Sequence, residues 1–193
     1  IDNKACITYM HNFSHKLVEG DIHAITDPLQ SLGYVDVVTA GFPCQAFSVA
    51  GNRLGFKDPR GNLFFETARI IDEIKPKAFL LENVKNLVNH DNGKTFKTIR
   101  NTVINELNYS FIPFVLNSKE YGNIPQTRER IYMVGFKDES HVSHDELLLS
   151  ISNTVHGSAT SRFIVPDQIP LTTKITDLLY SGEQDENYYF LEN

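Results

Sequence analysis

Apolar positions recur along the chain in two spacings, and these spacings set out its elements. Residues 63–74 place Leu63, Ala68, Ile70, Ile71 and Ile74 at helical spacing, which predicts an amphipathic helix stopped by Lys75-Pro76. Residues 95–107 do the same with Phe96, Ile99, Val103, Ile104 and Leu107, after Asn92 and Gly93. Two short apolar runs, 35–40 and 77–84, read as buried strands. The first ends at Gly41, and Pro43 follows; the second turns polar at Glu82 and Asn83. Residues 109–116 and 130–136 read as a further pair of strands, joined by a polar loop at 119–130 as an antiparallel hairpin with an elaborated tip.

Weaker patterns fill the rest. Residues 2–13 predict a helix whose stripe (Ala5, Thr8, Tyr9, Asn12) is only half apolar. Residues 17–22 read as a short strand ending in Asp21 and Ile22. Asp27-Pro28 opens a short helix that closes at Gly33. From 137 to 193 periodicity fades, except for a helical turn or two at 175–180 with Thr173 or Thr176 as its cap. Strands alternating with helices imply parallel βαβ units, so the fold class is α/β: a mostly parallel, doubly wound sheet with an antiparallel hairpin near its end. The division expected is a catalytic part over 1–136 and an irregular segment over 137–193.

Composition narrows the partners. The 193 residues are 41% hydrophobic and 22% charged, ordinary for a globular chain with a sizeable core. A net charge of −6 argues against a general polyanion binder, yet basic residues cluster locally. Arg53, Lys57 and Arg60 share a long Gly-rich loop at 46–62, and Arg128 and Arg130 lie close together. Loops this long in compact domains are functional or disordered. The two cysteines, Cys6 and Cys44, make no disulfide framework and point to a reducing compartment. No apolar run reaches the ~20 residues of a spanning helix, and residues 1–16 are too polar for a signal peptide. The start at Ile1 rather than Met suggests a fragment.

The candidate chemistry gathers at predicted strand ends. Cys44 follows Pro43 on a tight turn past a strand, where open α/β sheets collect ligands. By position alone it is as readily a packed structural thiol as a nucleophile. Glu82 and Asn83 end the neighbouring strand; a carboxyl group and a thiol in one crevice suit covalent catalysis, although a lone acid there is an ordinary exposed strand terminus. Gln126, Arg128 and Arg130 alternate, so a strand would put them on one face for anion or base recognition. A solvated hairpin tip is the alternative. Asp21 fits either a ribose or amine contact or a plain helix cap. No GxGxxG, P-loop or GxSxG occurs, and the seven histidines show no metal spacing.

Taken together, GFPCQAFS at 41–48, ENV at 82–84 and QTRER at 126–130 resemble the C5-cytosine DNA methyltransferase family in order and spacing. Residues 61–87 and the stretch NHDNGKTF extend the likeness to the small bacterial restriction–modification enzymes. It covers residues 1 to about 136 closely and the remainder weakly. The resemblance implies a Rossmann-like fold dependent on S-adenosylmethionine, with S-adenosylhomocysteine as product, no metal, and double-stranded DNA as substrate. It implies that the Cys44 thiolate attacks C6 of a flipped-out cytosine while Glu82 serves N3, so that C5 takes the methyl group. Arg130 resembles the arginine at the base O2, and Arg128 its companion bracing the catalytic loop. Asn83 would hold the Pro43–Cys44 turn, and the Phe42 carbonyl would read the cytosine amine. Gln45 and Gln126 join the substrate-binding set, while Ser48, Arg53 and Lys57 would touch phosphates from a closing loop. Asp21 and Ile22 resemble the pair at the cofactor adenine; Pro43 and Leu63 resemble residues on its methionine side.

The likeness also has gaps. The Phe-x-Gly-x-Gly strand that opens complete family members has no match, so the first strand of the sheet is expected to be absent, and the cofactor's ribose acid with it. A target-recognition domain is expected beyond this chain. The implied setting is bacterial, cytoplasmic and DNA-associated, with a functional link to a restriction endonuclease and no membrane. The remainder of the enzyme could be a second chain. Two alternatives follow: an inactive or partner-dependent piece of such an enzyme, or a tRNA-methylating relative. The latter carries Pro-Pro-Cys where this chain has Phe42-Pro43-Cys44.

Overall fold

A computed structural model of the chain describes residues 2–43, 63–137, 164–179 and 182. Among these, β1 (Val37–Gly41), β2 (Ala78–Val84), β3 (Ile112–Asn117) and β4 (Glu129–Phe136) form one sheet in the order β1-β2-β4-β3. β1 and β2 are parallel, in register from Val37 opposite Ala78 to Gly41 opposite Glu82. β2 and β4 are antiparallel, from Ala78 opposite Phe136 to Val84 opposite Arg130. β3 and β4 are antiparallel too: Tyr109 bridges Lys137 in that sense, and the Ser110 N–H donates to the Phe136 carbonyl at 2.9 Å. Three strands thus share one direction and β4 opposes them. This reconciles the expected parallel sheet with the expected hairpin. It also brings the C-terminal ends of β1 and β2 and the N-terminal end of β4 to one edge.

α3 (Leu63–Ile74) has the bounds its periodicity predicts. Its buried face is Phe64, Thr67, Ala68, Ile70, Ile71 and Ile74, while Leu63 is half-buried at the rim rather than inside. Full burial of each large apolar side chain contributes about 1.5–3 kcal/mol. Lys75 leaves the helix in the left-handed region at φ 51°, and Pro76 prevents its resumption. The helix predicted over 95–107 is two pieces, α4 (Lys94–Asn101) and a π-helical turn at Thr102–Glu106. Its predicted inner residues are all buried. The wider turn keeps Val103 and Ile104 on the face that Phe96 and Ile99 start.

The core lies between these helices and one face of the sheet, where Phe79 and Leu81 of β2 meet Ile131 and Met133 of β4. Gly135, opposite Phe79, is required by that packing: a Cβ there would fall 2.2 Å from the Phe79 ring. The outer edge of the sheet is thinner. Val37 of β1 is 55% exposed, and Val38 and Ala40 are only half-buried against the core.

The N-terminal part differs more from expectation. α1 (Asn3–Asn12) forms, capped by the Asp2 carboxylate on Lys4 N–H, but buries no residue. The predicted stripe therefore faces no core. The strand predicted over 17–22 is absent; the segment has no ladder partner among the described residues and ends in a 3-10 turn at Ile22–Ala24. Two apolar residues at its start do not make a strand without a neighbour to pair with. α2 (Pro28–Leu32) has the predicted Asp27 cap and Gly33 stop.

The chain divides into two compact units. The larger, Ile1–Leu116 with Glu129–Val165, contains β1, β2 and β4. The smaller is Asn117–Arg128 with Pro166–Asn193. Within it, α5 (Ser118–Tyr121) occupies part of the stretch expected to be loop. Asn123 Oδ1 accepts the N–H groups of Thr172 and Thr173 at 2.7 and 3.0 Å. The predicted turn near the end is a 3-10 helix, Ile175–Leu178, capped through Asp177 accepting the Lys174 N–H rather than by Thr173 or Thr176. Among the described residues no helix is long and apolar enough to cross a membrane.

Candidate active site

Three elements of the larger unit meet at the sheet edge just described. β1 ends at Gly41 and delivers Phe42 and Pro43. Phe42 is buried, its ring 5.3 Å from that of Phe64, and Pro43 is exposed. Aromatic packing thus pins the chain directly after β1. Cys44, Gln45, Ser48, Arg53 and Lys57 lie outside the described residues.

β2 supplies the next two groups. Asn83 points to the core side and is 3% exposed. Its Nδ2 donates to the Phe42 carbonyl at 2.6 Å, and its Oδ1 accepts the Val84 N–H at 2.8 Å. A buried amide is stable only with such partners. The bond ties the end of β2 to the backbone just past β1. It also occupies one lone pair of the carbonyl expected to read the base; a carbonyl oxygen has a second.

Glu82 points to the opposite face, and its side chain is 37% exposed. Its Oε1 lies 3.0 Å from Arg130 Nε, and the Arg130 side chain is 20% exposed. The register explains the pair. Val84 is opposite Arg130, so Glu82 and Arg130 are diagonal neighbours on one face. Gly41, directly opposite Glu82, makes room: a Cβ there would sit 3.3 Å from Glu82 Oε2. The two residues expected at different atoms of the base are therefore joined to each other. A second pair, from Lys85 Nζ just past β2 to Glu129 Oε1 at the start of β4, at 2.8 Å, flanks the first. The sequence reading missed both pairs, because only the β2–β4 register, not spacing along the chain, brings them together.

The shared face expected for Gln126, Arg128 and Arg130 does not follow from one strand. β4 begins at Glu129, so only Arg130 belongs to it. Gln126 and Arg128 lie in the smaller unit and are exposed. There Ser118 holds the loop at two points, its Oγ donating to the Gln126 carbonyl at 2.6 Å and its N–H to the Arg128 carbonyl at 3.0 Å.

The residues expected at the cofactor cluster around α3. Asp21 is exposed and caps the 3-10 turn, its Oδ1 accepting the His23 N–H at 3.0 Å and lying 2.6 Å from His23 Nδ1. Those bonds hold its carboxyl below the usual carboxylate range. The Ile22 carbonyl accepts from Arg69 Nη2 at 3.4 Å. Arg69 is itself held by Glu66 at 2.8 Å and Glu73 at 3.0 Å. Leu63 opens the same helix, and Phe64 beside it touches Phe42. Sequence reasoning overlooked Arg69, although Glu66, Arg69 and Glu73 at spacings of three and four were visible as a helical ion-pair set. Among the described residues no three His, Cys, Asp or Glu side chains gather to hold a metal ion.

The comparisons with known proteins point one way. The chain is 44% identical over 195 residues to the Type II methyltransferase M.Bsp6I of Bacillus sp. (strain RFL6), which covers 100% of this chain and 55% of that protein. It is 43% identical over 186 residues to the Type II methyltransferase M.HhaI of Haemophilus parahaemolyticus, covering 96% of this chain and 50% of that one. It thus spans about half the length of the curated relatives it matches. Among solved structures, DNMT2 of Spodoptera frugiperda aligns with TM-score 0.53 at 28% identity over 72% of this chain and 41% of that one. The S. pombe Dnmt2 methyltransferase aligns with TM-score 0.60 over 100% of this chain and 55% of that one; at 21% identity it shows the fold alone. The description C-5 cytosine-specific DNA methylase matches residues 1–193, and the chain belongs to that family.

Proposed function

We propose that this chain forms the catalytic part of an enzyme that methylates C5 of a cytosine flipped out of double-stranded DNA. The observation that carries the reading is the meeting of the Phe42–Pro43 turn, Glu82, Asn83 and Arg130 at one edge of the sheet. The Type II names of the relatives support a role beside a restriction endonuclease.

The residues near α3 fit the methyl donor S-adenosylmethionine. Ile22 and Leu63 offer half-exposed apolar surface, Pro43 is exposed, and Asp21 brings an ionised carboxylate suited to an adenine amine. When bound, the donor supplies an electrophilic methyl group on a sulfonium centre. This chain's residues would do the rest. The Cys44 thiolate forms a bond to C6, which raises electron density at C5. Glu82 would hold or deliver a proton at N3, and Arg130, paired to Glu82, would serve the neighbouring O2. With the methyl carbon on C5 and the donor's sulfur released as a neutral thioether, a base would take the C5 proton and the Cys44 thiolate would leave C6, restoring the ring. Asn83 steadies the backbone that leads to Cys44, Arg128 serves as the companion of Arg130, and Gln45, Ser48, Arg53 and Gln126 contact the nucleic acid.

The exposure of α1 and of the outer edge of β1 supports a second reading, in which another polypeptide segment completes the unit. Incubation with labelled donor and cytosine-containing duplex DNA tests the first. Methyl incorporation that Cys44→Ala abolishes supports it. Equal incorporation by Cys44→Ala, or preference for tRNA over DNA, overturns it. No incorporation by this chain, restored on adding the remainder of a relative, selects the second.

A further inference from the structure

We propose that His23 is a positioning residue for the Asp21 carboxylate that meets the adenine amine of the methyl donor. The inference rests on the cofactor site proposed above. His23 makes two contacts to one oxygen, through its N–H at 3.0 Å and its Nδ1 at 2.6 Å. An ionised carboxylate only accepts, so the proton of the imidazole lies on Nδ1. Asp21 Oδ1 is thereby filled, and among the described residues no hydrogen bond falls on Oδ2. That leaves one oxygen for an outside N–H donor.

Asp21 is exposed, and without the imidazole its carboxylate would be held only by the His23 N–H of the cap. An unheld side chain loses freedom when a ligand immobilises it, and that loss weakens binding. The imidazole adds a second bond to the one from the cap and removes more of that freedom beforehand. The backbone is fixed from the other side by Arg69, which donates to the Ile22 carbonyl from a guanidinium held by Glu66 and Glu73. The carboxylate and the backbone beside it are thus each held by one neighbour. Asp21 is a carboxylate in neutral solution, the state an amine donor needs, and its bonds to His23 lower its carboxyl further below the usual range.

Calorimetric titration of the chain with S-adenosylhomocysteine tests the role without any turnover. His23→Phe keeps a ring and loses the donor; binding is expected to weaken about three- to tenfold, the worth of one exposed charge-assisted hydrogen bond. His23→Asn places an amide N–H where Nδ1 stood and is expected to restore affinity to within about twofold. Melting temperatures of both variants should match that of the unaltered chain, because both keep the backbone N–H that Asp21 caps, so that a change in affinity is not a change in fold. If Asp21→Ala weakens binding while His23→Phe does not, the inference falls and the site stands. If Asp21→Ala leaves binding unchanged, or the unaltered chain does not bind, the cofactor reading falls and takes the inference with it.

Discussion

Asn83 shows how much of this site rests on single side chains. Its amide lies inside the core, yet it spends its hydrogen bonds on backbone: the Phe42 carbonyl and its neighbour's N–H. Truncation would take those partners from the buried Phe42 carbonyl and from the less buried Val84 N–H. Asn83→Ala is therefore expected to destabilise the chain by about 1–3 kcal/mol, measured by urea unfolding. The substitution Asn83→Asp would keep the acceptor toward Val84 but lose the donor toward Phe42. The loss should also free the Cys44 turn, so alkylation of the thiol should accelerate more in the Asn83→Ala variant than in an equally destabilised core variant. A loss under about 0.5 kcal/mol with unchanged alkylation would show that Asn83 does not hold the turn. Glu82 is different. It is more than a third exposed, so its bond to Arg130 adds little stability, at most about 1 kcal/mol. Its value lies in where it points.

At the scale of elements, the parallel pair β1–β2 is tied at its start as well as its end. The Ala78 N–H donates to the Asp36 carbonyl at 3.1 Å, and Lys77 Nζ lies 2.8 Å from Asp36 Oδ1. The ammonium holds the Asp36 carboxyl below its usual range, and the carboxylate holds Lys77 above its own. Their signs set a window. The acid's contribution to folding is present above its ordinary value near 3.8 and is lost as pH falls through its lowered folded value. The lysine's is present below 10.5 and is lost as pH rises through its raised folded value. In Lys77→Met, the Asp36 carboxyl resonance should titrate at a higher pH than in the unaltered chain; an unmoved curve would mean the pair does not form in solution. The elements also show what the sequence could tell. α3 was legible to the residue because its stripe and its Pro76 stop are both local. The segment at 17–22 was misread, since a strand depends on a partner that local pattern does not contain. Glu82, Asn83 and Arg130 were legible as candidates, because strand ends collect chemistry. Their mutual contacts were not, since those depend on a register between strands far apart along the chain. Asp21 was legible as either cap or ligand group, and the structure shows the cap while leaving Oδ2 for the second role.

Across the molecule, burial is uneven, and the unevenness makes a prediction about motion. Phe64, Phe79, Leu81, Ile99, Ile131 and Met133 are nearly or wholly excluded from solvent on one side of the sheet. α1 has no buried residue; Ile7, Met10 and Phe13 are each more than half exposed. Ten residues of helix without a packed face are marginal in water, because nucleation costs more than so few bonds return. β1 is intermediate, paired to β2 but with Val37 open to solvent. Local opening should therefore be cheap in α1 and close to global unfolding in β2 and β4. Hydrogen exchange read by mass spectrometry should show peptides from 3–12 labelling orders of magnitude faster than those from 64–84 and 129–136, with the β1 peptide between. Slow exchange over 3–12 would mean that α1 is packed against something, and that the open side of the molecule is covered in solution. Because the N–H groups of His23, Ala24 and Ile25 donate to Asp21 and Ile22, which follow α1, those three amides should exchange more slowly than those of the helix before them. That contrast would separate a loosely attached N-terminal helix from an ordered edge of the cofactor site.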